Sequence, residues 1–144
     1  MNEKELPVVP RFRVWLPDPD VERMLKVKAL VYEHDKTRCV CGYAYDFYLE
    51  DEDAIIMRST GLLDKNGQEI FEGDIVKRYR NPLFKAEWEY QIETVVKRDA
   101  CLLLEKKFGR NSATMSFGSP FTKSDLLEVI GNIYKNKELL EEKG

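Results

Sequence analysis

The chain has 144 residues, 43% hydrophobic and 34% charged, and a formal net charge of −3. That length suits one domain, or one domain with an appended arm, and a chain of this size buries roughly 68–70% of its unfolded surface. Slight acidity argues against a uniformly basic nucleic-acid binder, and no apolar run reaches the length that a bilayer-spanning helix needs.

Residues 1 to 10, "MNEKELPVVP", read as a polar leader. With no basic segment feeding an apolar stretch, this start is not that of a signal peptide, so the expected location is the cytoplasm, away from membranes. The three cysteines, Cys39, Cys41 and Cys101, form an odd set that suits a reducing compartment better than a disulfide framework. "RFRVWL" alternates, with Phe12, Val14 and Leu16 on one side and Arg11, Arg13 and Trp15 on the other. This predicts a half-buried strand, stopped by the cluster Pro17 to Asp20. "VERMLKVKALVYEHD" fits either a helical stripe (Met24, Val27, Leu30, Val31) or a strand from Lys26 to Tyr32, and the strand is preferred for its β-branched and aromatic end. In "TRCVCGYAYD", Cys39, Cys41, Tyr43 and Tyr45 share one parity, and Glu50 to Asp53 form an acidic turn before the strand "AIIMRST".

The run "GLLDKNGQEIFEGDIVKRY", Gly61 to Tyr79, crowds three glycines and two aspartates into a strand-like pattern. Asp64 can bond the backbone two residues on, and Asn66-Gly67 supplies the positive φ of a tight reversal, so 64–67 predicts a hairpin tip. Gly73 permits a kink, Asp74 can bond nearby N–H groups, and Gly61 is assigned a similar part before the hairpin. A phosphate-cradling loop would need the glycines to feed a helix N-terminus; here they feed a β pattern with acidic neighbours, so the structural reading is preferred. On that reading Gly73→Val destabilises strongly and Asp64→Ala less.

Beyond Tyr79, "EWEYQIETVVKR", "CLLLEKKF", "ATMSF" and "LLEVIGNIY" continue the β pattern, with a turn at Arg98-Asp99-Ala100. "KKFGRNSATMSFGSPFTKSD" is predicted to be a long mobile loop, and "NKELLEEKG" a short helix capped by Asn136. Short strands at turn-separated spacing indicate a mainly β protein of barrel or sandwich type.

"IIMRSTGLLDKNGQEIFEGDIVK" (Ile55 to Lys77) closely resembles the signature of the YopX family of bacteriophage and prophage proteins. "RFRVW" near the start and "EVIGNIYKNKELL" near the end agree with it, so the likeness brackets nearly the whole chain. The resemblance implies a small phage or prophage protein, mostly β, with a barrel-like C-terminal part. It brings no activity, cofactor or catalytic residue. The expected organisation is therefore a β-rich arm over residues 1–56. It is followed by a YopX-like core over 57–144, a small antiparallel SH3-like barrel ending in a short helix.

Each chemical candidate has a plainer reading. His34, Cys39, Cys41 and Cys101 are soft ligands that zinc would need gathered tetrahedrally; ordinary buried cysteines and a solvated histidine are preferred. Asp46 and Glu50 to Asp53 suit Mg²⁺ only if a rigid scaffold converges them, and a solvated loop is simpler. A single histidine leaves no persuasive nucleophilic triad. No cofactor, metal site or enzymatic activity is expected.

Residues 77–110 hold nine Lys and Arg against five acids, a net +4, so the remaining residues carry −7. Tyr79, Phe84, Trp88 and Tyr90 interleave with these cations. Lys77, Arg78, Arg80, Lys85, Trp88, Lys97 and Arg98 thus form a candidate surface for single-stranded nucleic acid, through phosphate contacts and stacking. The alternative is strand-edge cations that deter aggregation over packed aromatics, and this is preferred. Acidic and basic portions of the chain can also attract between copies, and "RFRVW" can add as an edge strand to a neighbour's sheet. The leading expectation is a non-catalytic interaction or assembly module, homo-oligomeric or bound to a phage or host protein. Nucleic-acid binding is the alternative.

Overall fold

The computed structural model describes residues 11–17, 23–42 and 46–141. The leader, residues 18–20 of the stop cluster, and Tyr43 and Tyr45 lie outside the described residues. The fold is mainly β, with antiparallel sheets that include a curled half-barrel. The described chain divides within one strand into two compact units, residues 11–59 and 60–141.

In the first unit, β1 (Phe12–Leu16) lies between β2 (Arg23–Lys26) and the first half of β6 (Ile55–Leu63), pairing antiparallel with both. Arg13 opposes Lys26 on one side and Met57 on the other. This corrects two sequence expectations. β1 is not half-buried: Arg13, Val14, Trp15 and Leu16 are all buried. Nor does it offer a free edge to a neighbour, because both rows of its backbone groups are already paired. The 20–35 segment also differs from the single strand expected. It holds β2 and then β3 (Ala29–Tyr32), separated at Val27 and Lys28, whose N–H groups turn to the Phe12 and Val40 carbonyls.

β3, β4 (Thr37–Val40) and β5 (Asp46–Tyr48) form a three-stranded meander. Its acidic turn is tied inward. Glu50 Oε1 accepts the Thr37 N–H at 2.7 Å, and Asp51 pairs with Lys36 at 2.9 Å. Glu33 accepts from Arg38 at 2.8 Å and from the Tyr48 hydroxyl at 3.0 Å.

The second unit contains the end of β6 paired with β7 (Glu69–Phe71), and an open five-stranded sheet in the order β11-β10-β9-β8-β12. These strands are β8 (Asp74–Tyr79), β9 (Tyr90–Arg98), β10 (Cys101–Phe108), β11 (Asn111–Met115) and β12 (Leu127–Asn132). Ile70, Val76, Val95, Leu104 and Leu127 make its core, with Leu62, Phe117 and Val129 packed against them. The expected mobile loop over 106–125 is largely ordered hairpin. β10 runs on to Phe108, turns at Gly109 and returns as β11, leaving a connection only after Met115. The expected C-terminal helix is a single 3₁₀ turn, Lys137–Leu140, without a side-chain cap. The Asn136 side chain accepts the Asn132 N–H instead, at 3.1 Å.

The glycine-rich run forms two turns. Between β6 and β7, Asp64 Oδ1 accepts the N–H groups of Asn66 (2.8 Å) and Gln68 (2.9 Å), and Gly67 adopts φ +82°. Between β7 and β8, Gly73 sits at φ +88°, and Asp74 Oδ2 accepts the Phe71 N–H at 2.8 Å. Gly61 lies inside β6 at φ +78°.

Candidate interaction surfaces

Side chains alternate across the five-stranded sheet, which decides where each basic residue points. Val76 and Arg78 oppose Glu93 and Gln91 and share the core face with Val95; Lys77 and Tyr79 oppose Ile92 and Tyr90 on the other face.

Arg78 is buried with Glu93. Its Nε and Nη2 donate to the two Glu93 oxygens at 2.7 and 2.9 Å, and Nη1 donates to the Phe121 carbonyl at 3.3 Å. The Trp88 ring lies over the guanidinium, 5.1 Å away. A bidentate, charge-assisted pair of this kind fixes orientation, and leaves Arg78 few donors for a phosphate. Arg80 donates to the Phe84 carbonyl at 3.1 Å, and Lys85 is exposed on the following loop. Lys97 and Arg98 lie at the far end of β9, where Arg98 pairs with Glu105 at 2.8 Å. Of the seven residues singled out in sequence, the structure therefore brings together Arg78 and Trp88. Lys77 lies on the opposite face.

Two other groupings emerge. The first is an apolar platform on the loops 80–89 and 116–123. Asn81 Nδ2 donates to the Pro120 carbonyl at 2.9 Å, and Asn81 Oδ1 accepts the Leu83 N–H at 2.9 Å. Phe84 and Phe121 pack with ring centroids 4.6 Å apart. Leu83 projects beside them, 85% exposed, while Phe121 is 48% exposed. Next to the platform is an open depression of about 450 Å³, lined by Arg78, Trp88, Met115, Ser116, Ser119 and Phe121. "NPLF" was the available signal for Leu83, a turn carrying two large apolar residues. Phe121, the ring partner of Phe84, is 37 residues further on, a distance that no local pattern covers.

The second grouping is a lysine–tyrosine stack on the outer sheet face. Lys65 Nζ lies 4.3 Å from the Tyr79 ring centroid, Lys77 Nζ 4.5 Å from that of Tyr90, and the two rings are 5.8 Å apart. The Tyr79 hydroxyl donates to Glu128 at 2.8 Å, which holds its pKa above the ordinary phenol value. Sequence reasoning missed Lys65 because the β6–β7 hairpin carries it to the sheet from outside the basic stretch.

The metal candidates do not assemble into a site. Cys39 and Cys41 place their sulfurs 3.7 Å apart, and burial pushes the Cys39 thiol up to about 12, which disfavours the thiolate that zinc needs. His34 is exposed on the β3–β4 turn, and Cys101 is exposed in the other unit. Among the described residues no three His, Cys, Asp or Glu side chains group as metal ligands, and no helix is long and apolar enough to cross a membrane.

No curated protein matches the chain. Among solved structures it is similar to protein EF1440 from Enterococcus faecalis, at 26% identity and a TM-score of 0.54, covering 94% of this chain and all of that one. It is also similar in fold to protein yopX from Bacillus subtilis, at 18% identity and a TM-score of 0.59, covering 91% of this chain and 98% of the other. The family model described as YopX protein matches residues 11–141. With that span covering both units and the signature hairpin, the chain belongs to the YopX protein family.

Proposed function

We propose that this chain is a non-catalytic interaction module of phage or prophage origin that works in the cytoplasm by associating with further copies of itself. The observation that carries the reading is the Leu83–Phe84–Phe121 platform. Large apolar side chains clustered at a surface mark binding sites, and here hydrogen bonds hold the two loops that present them, which lowers the entropic cost of docking. The second copy is favoured over an unrelated protein because the patch is self-complementary. It carries both a projecting apolar residue, Leu83, and an apolar depression beside Trp88 and Phe121. The same loop carries both signs of charge, Arg80 and Lys85 with Glu87 and Glu89, so opposite charges are available at the rim of a contact between two copies.

Size-exclusion chromatography with light scattering tests this directly. The parent protein is expected to run as a dimer or larger at micromolar concentration, and Leu83→Asp/Phe121→Asp as a folded monomer. A monomeric parent would remove the proposal.

Nucleic-acid binding is the second reading, favoured by the Lys65–Tyr79–Tyr90–Lys77 stack rather than by the whole basic stretch. Residues 60–141 carry thirteen Lys and Arg and thirteen acids, so this unit has no net charge to hold a long phosphate chain. That balance ranks it second.

A further inference from the structure

β11 is one outer strand of the five-stranded sheet and β12 is the other, and the two edges differ. Along β12 the Lys65 N–H donates to the Leu127 carbonyl at 2.9 Å and Asp64 Oδ2 accepts the Val129 N–H at 2.9 Å. The pairing of β12 with β8 also shifts register between Val129 and Gly131. Covers and bulges of this kind keep a sheet edge from pairing with another chain. β11 has none of them. Its sequence, NSATM, holds no charge and no proline, its register with β10 is unbroken, and Asn111 to Thr114 are exposed. Phe108 and Asn111 close the two-residue turn Gly109–Arg110, and a turn of that length is closed by a hydrogen-bonded pair. Bonded and non-bonded pairs alternate along an antiparallel ladder. Lys106–Ala113 and Leu104–Met115 are therefore bonded, and Lys107–Ser112 and Glu105–Thr114 are not. This turns the N–H and C=O groups of Ser112 and Thr114 away from the sheet. Among the described residues nothing bonds to them.

Resting on the self-association reading, we propose that the contact between two copies includes β11, paired antiparallel with β11 of the second copy about a two-fold axis at Ala113. In that register Ser112 opposes Thr114 of the second copy on either side of the axis, and each such pair exchanges two backbone hydrogen bonds. The five strands of each copy join in one continuous sheet. Backbone groups alone would accept any strand, and the side chains select this one. Ser112 and Thr114 are a small hydroxyl pair that can bond across the strands. Ala113 fills the axis, where the Cα atoms of a non-bonded pair approach to about 4.5 Å. On the face that Ala113 occupies, Asn111 opposes Met115 of the second copy, with Phe108 beyond Asn111 and Leu104 of the second copy beyond that methionine. Phe108, 53% exposed in a single copy, thereby gains an apolar neighbour within reach. Met115 also lines the depression beside Phe121, so the edge is continuous with the platform.

Hydrogen exchange and light scattering of the full chain test it. In the associated parent the Ser112 and Thr114 amides are expected to exchange at least about tenfold more slowly than in monomeric Leu83→Asp/Phe121→Asp, while the Ala113 amide behaves alike in both. Ala113→Lys sets two like charges against each other on the axis and should weaken association at least about tenfold. Ala113→Glu should do the same, and an equimolar mixture of the two variants should associate again. Thr114→Pro removes an outward N–H without touching the β10 ladder and serves as a second block. Freely exchanging Ser112 and Thr114 amides in an associated parent would overturn the edge contact and leave self-association through the platform standing. Undiminished association of Ala113→Lys, or a mixture that stays monomeric, would do likewise. Equal protection of those amides in the monomeric variant would also overturn it, by showing the edge covered from within its own chain. Association that survives Leu83→Asp/Phe121→Asp but not Ala113→Lys would support the edge and remove the platform from the contact. A monomeric parent would remove both.

Discussion

Asp64 is 2% exposed and holds three backbone N–H groups with its two oxygens. Oδ1 serves Asn66 and Gln68 in the hairpin tip, and Oδ2 serves Val129 on β12 at 2.9 Å. The first two bonds were legible, since Asp before Asn-Gly is a turn signal; the third joins residues 65 apart and leaves no local trace. It changes the expected ranking of substitutions. Asp64→Ala strips a buried acceptor from three donors and should cost about 3 kcal/mol, comparable to Gly73→Val. At Gly73 a β-branched residue would resist φ +88°, and would strain the bonds from its N–H to the Val95 carbonyl and from Ile133 to its own carbonyl. Urea denaturation of both variants checks this, and a loss below about 1 kcal/mol for Asp64→Ala would show that β12 does not depend on the carboxylate. The β9–β10 turn makes the opposite case. Asp99 and Ala100 sit at φ +49° and +69°, the left-handed pair that a two-residue hairpin demands, yet alanine is penalised there. Ala100→Gly should stabilise the protein by about 0.5–1 kcal/mol, raising Tm by roughly 2–3 °C in a thermal melt.

At the scale of elements, hairpins closed by short turns could be read from the sequence. Asn66-Gly67 and Asp99-Ala100 both punctuate clear alternation, and both are tips in the structure. The β10–β11 hairpin was misread because its strands face solvent at their far ends. Lys106, Lys107 and Arg110 with Asn111 to Thr114 look like a polar loop when only cross-strand pairing makes them strands. β1 was misread for the opposite reason: Arg13 is polar but buried, a fact set by strands on either side of it. The β3–β4–β5 meander has few buried apolar side chains and relies on carboxylates, which makes it acid-sensitive. Hydrogen bonds from Arg38, then Tyr48, hold Glu33 below its usual 4.5, and the Thr37 N–H does the same for Glu50. A lowered folded pKa contributes stability that is present at neutral pH and lost as the pH falls below about 4.5. The Thr37 amide resonance should therefore titrate with a midpoint under 4.5 and lose its hydrogen-exchange protection there. In Glu50→Ala that protection should already be missing at pH 6. A Thr37 amide that ignores both changes would mean that the acidic turn is not what secures β4.

For the whole molecule, the −7 and +4 division of charge and the apolar platform are two distinct means of self-association, and they respond oppositely to salt. Charge attraction between exposed side chains is screened within about 10 Å at 0.1 M salt, whereas burial of Leu83, Phe84 and Phe121 is not. The composition revealed the first, and only the folded loops reveal the second. A dimer that folds and associates together gains stability by mass action, so raising the chain concentration a hundredfold adds about 1.4 kcal/mol per chain and about 4 °C to Tm. The parent protein is expected to show that increase between about 5 and 500 μM, and Leu83→Asp to melt at one temperature throughout. If the platform is the contact, the dependence survives about 0.5 M NaCl; if charge is the contact, it flattens there while Leu83→Asp behaves like the parent at low salt. A parent Tm that does not move with concentration at either salt level would eliminate both routes and leave the platform to a partner other than a second copy.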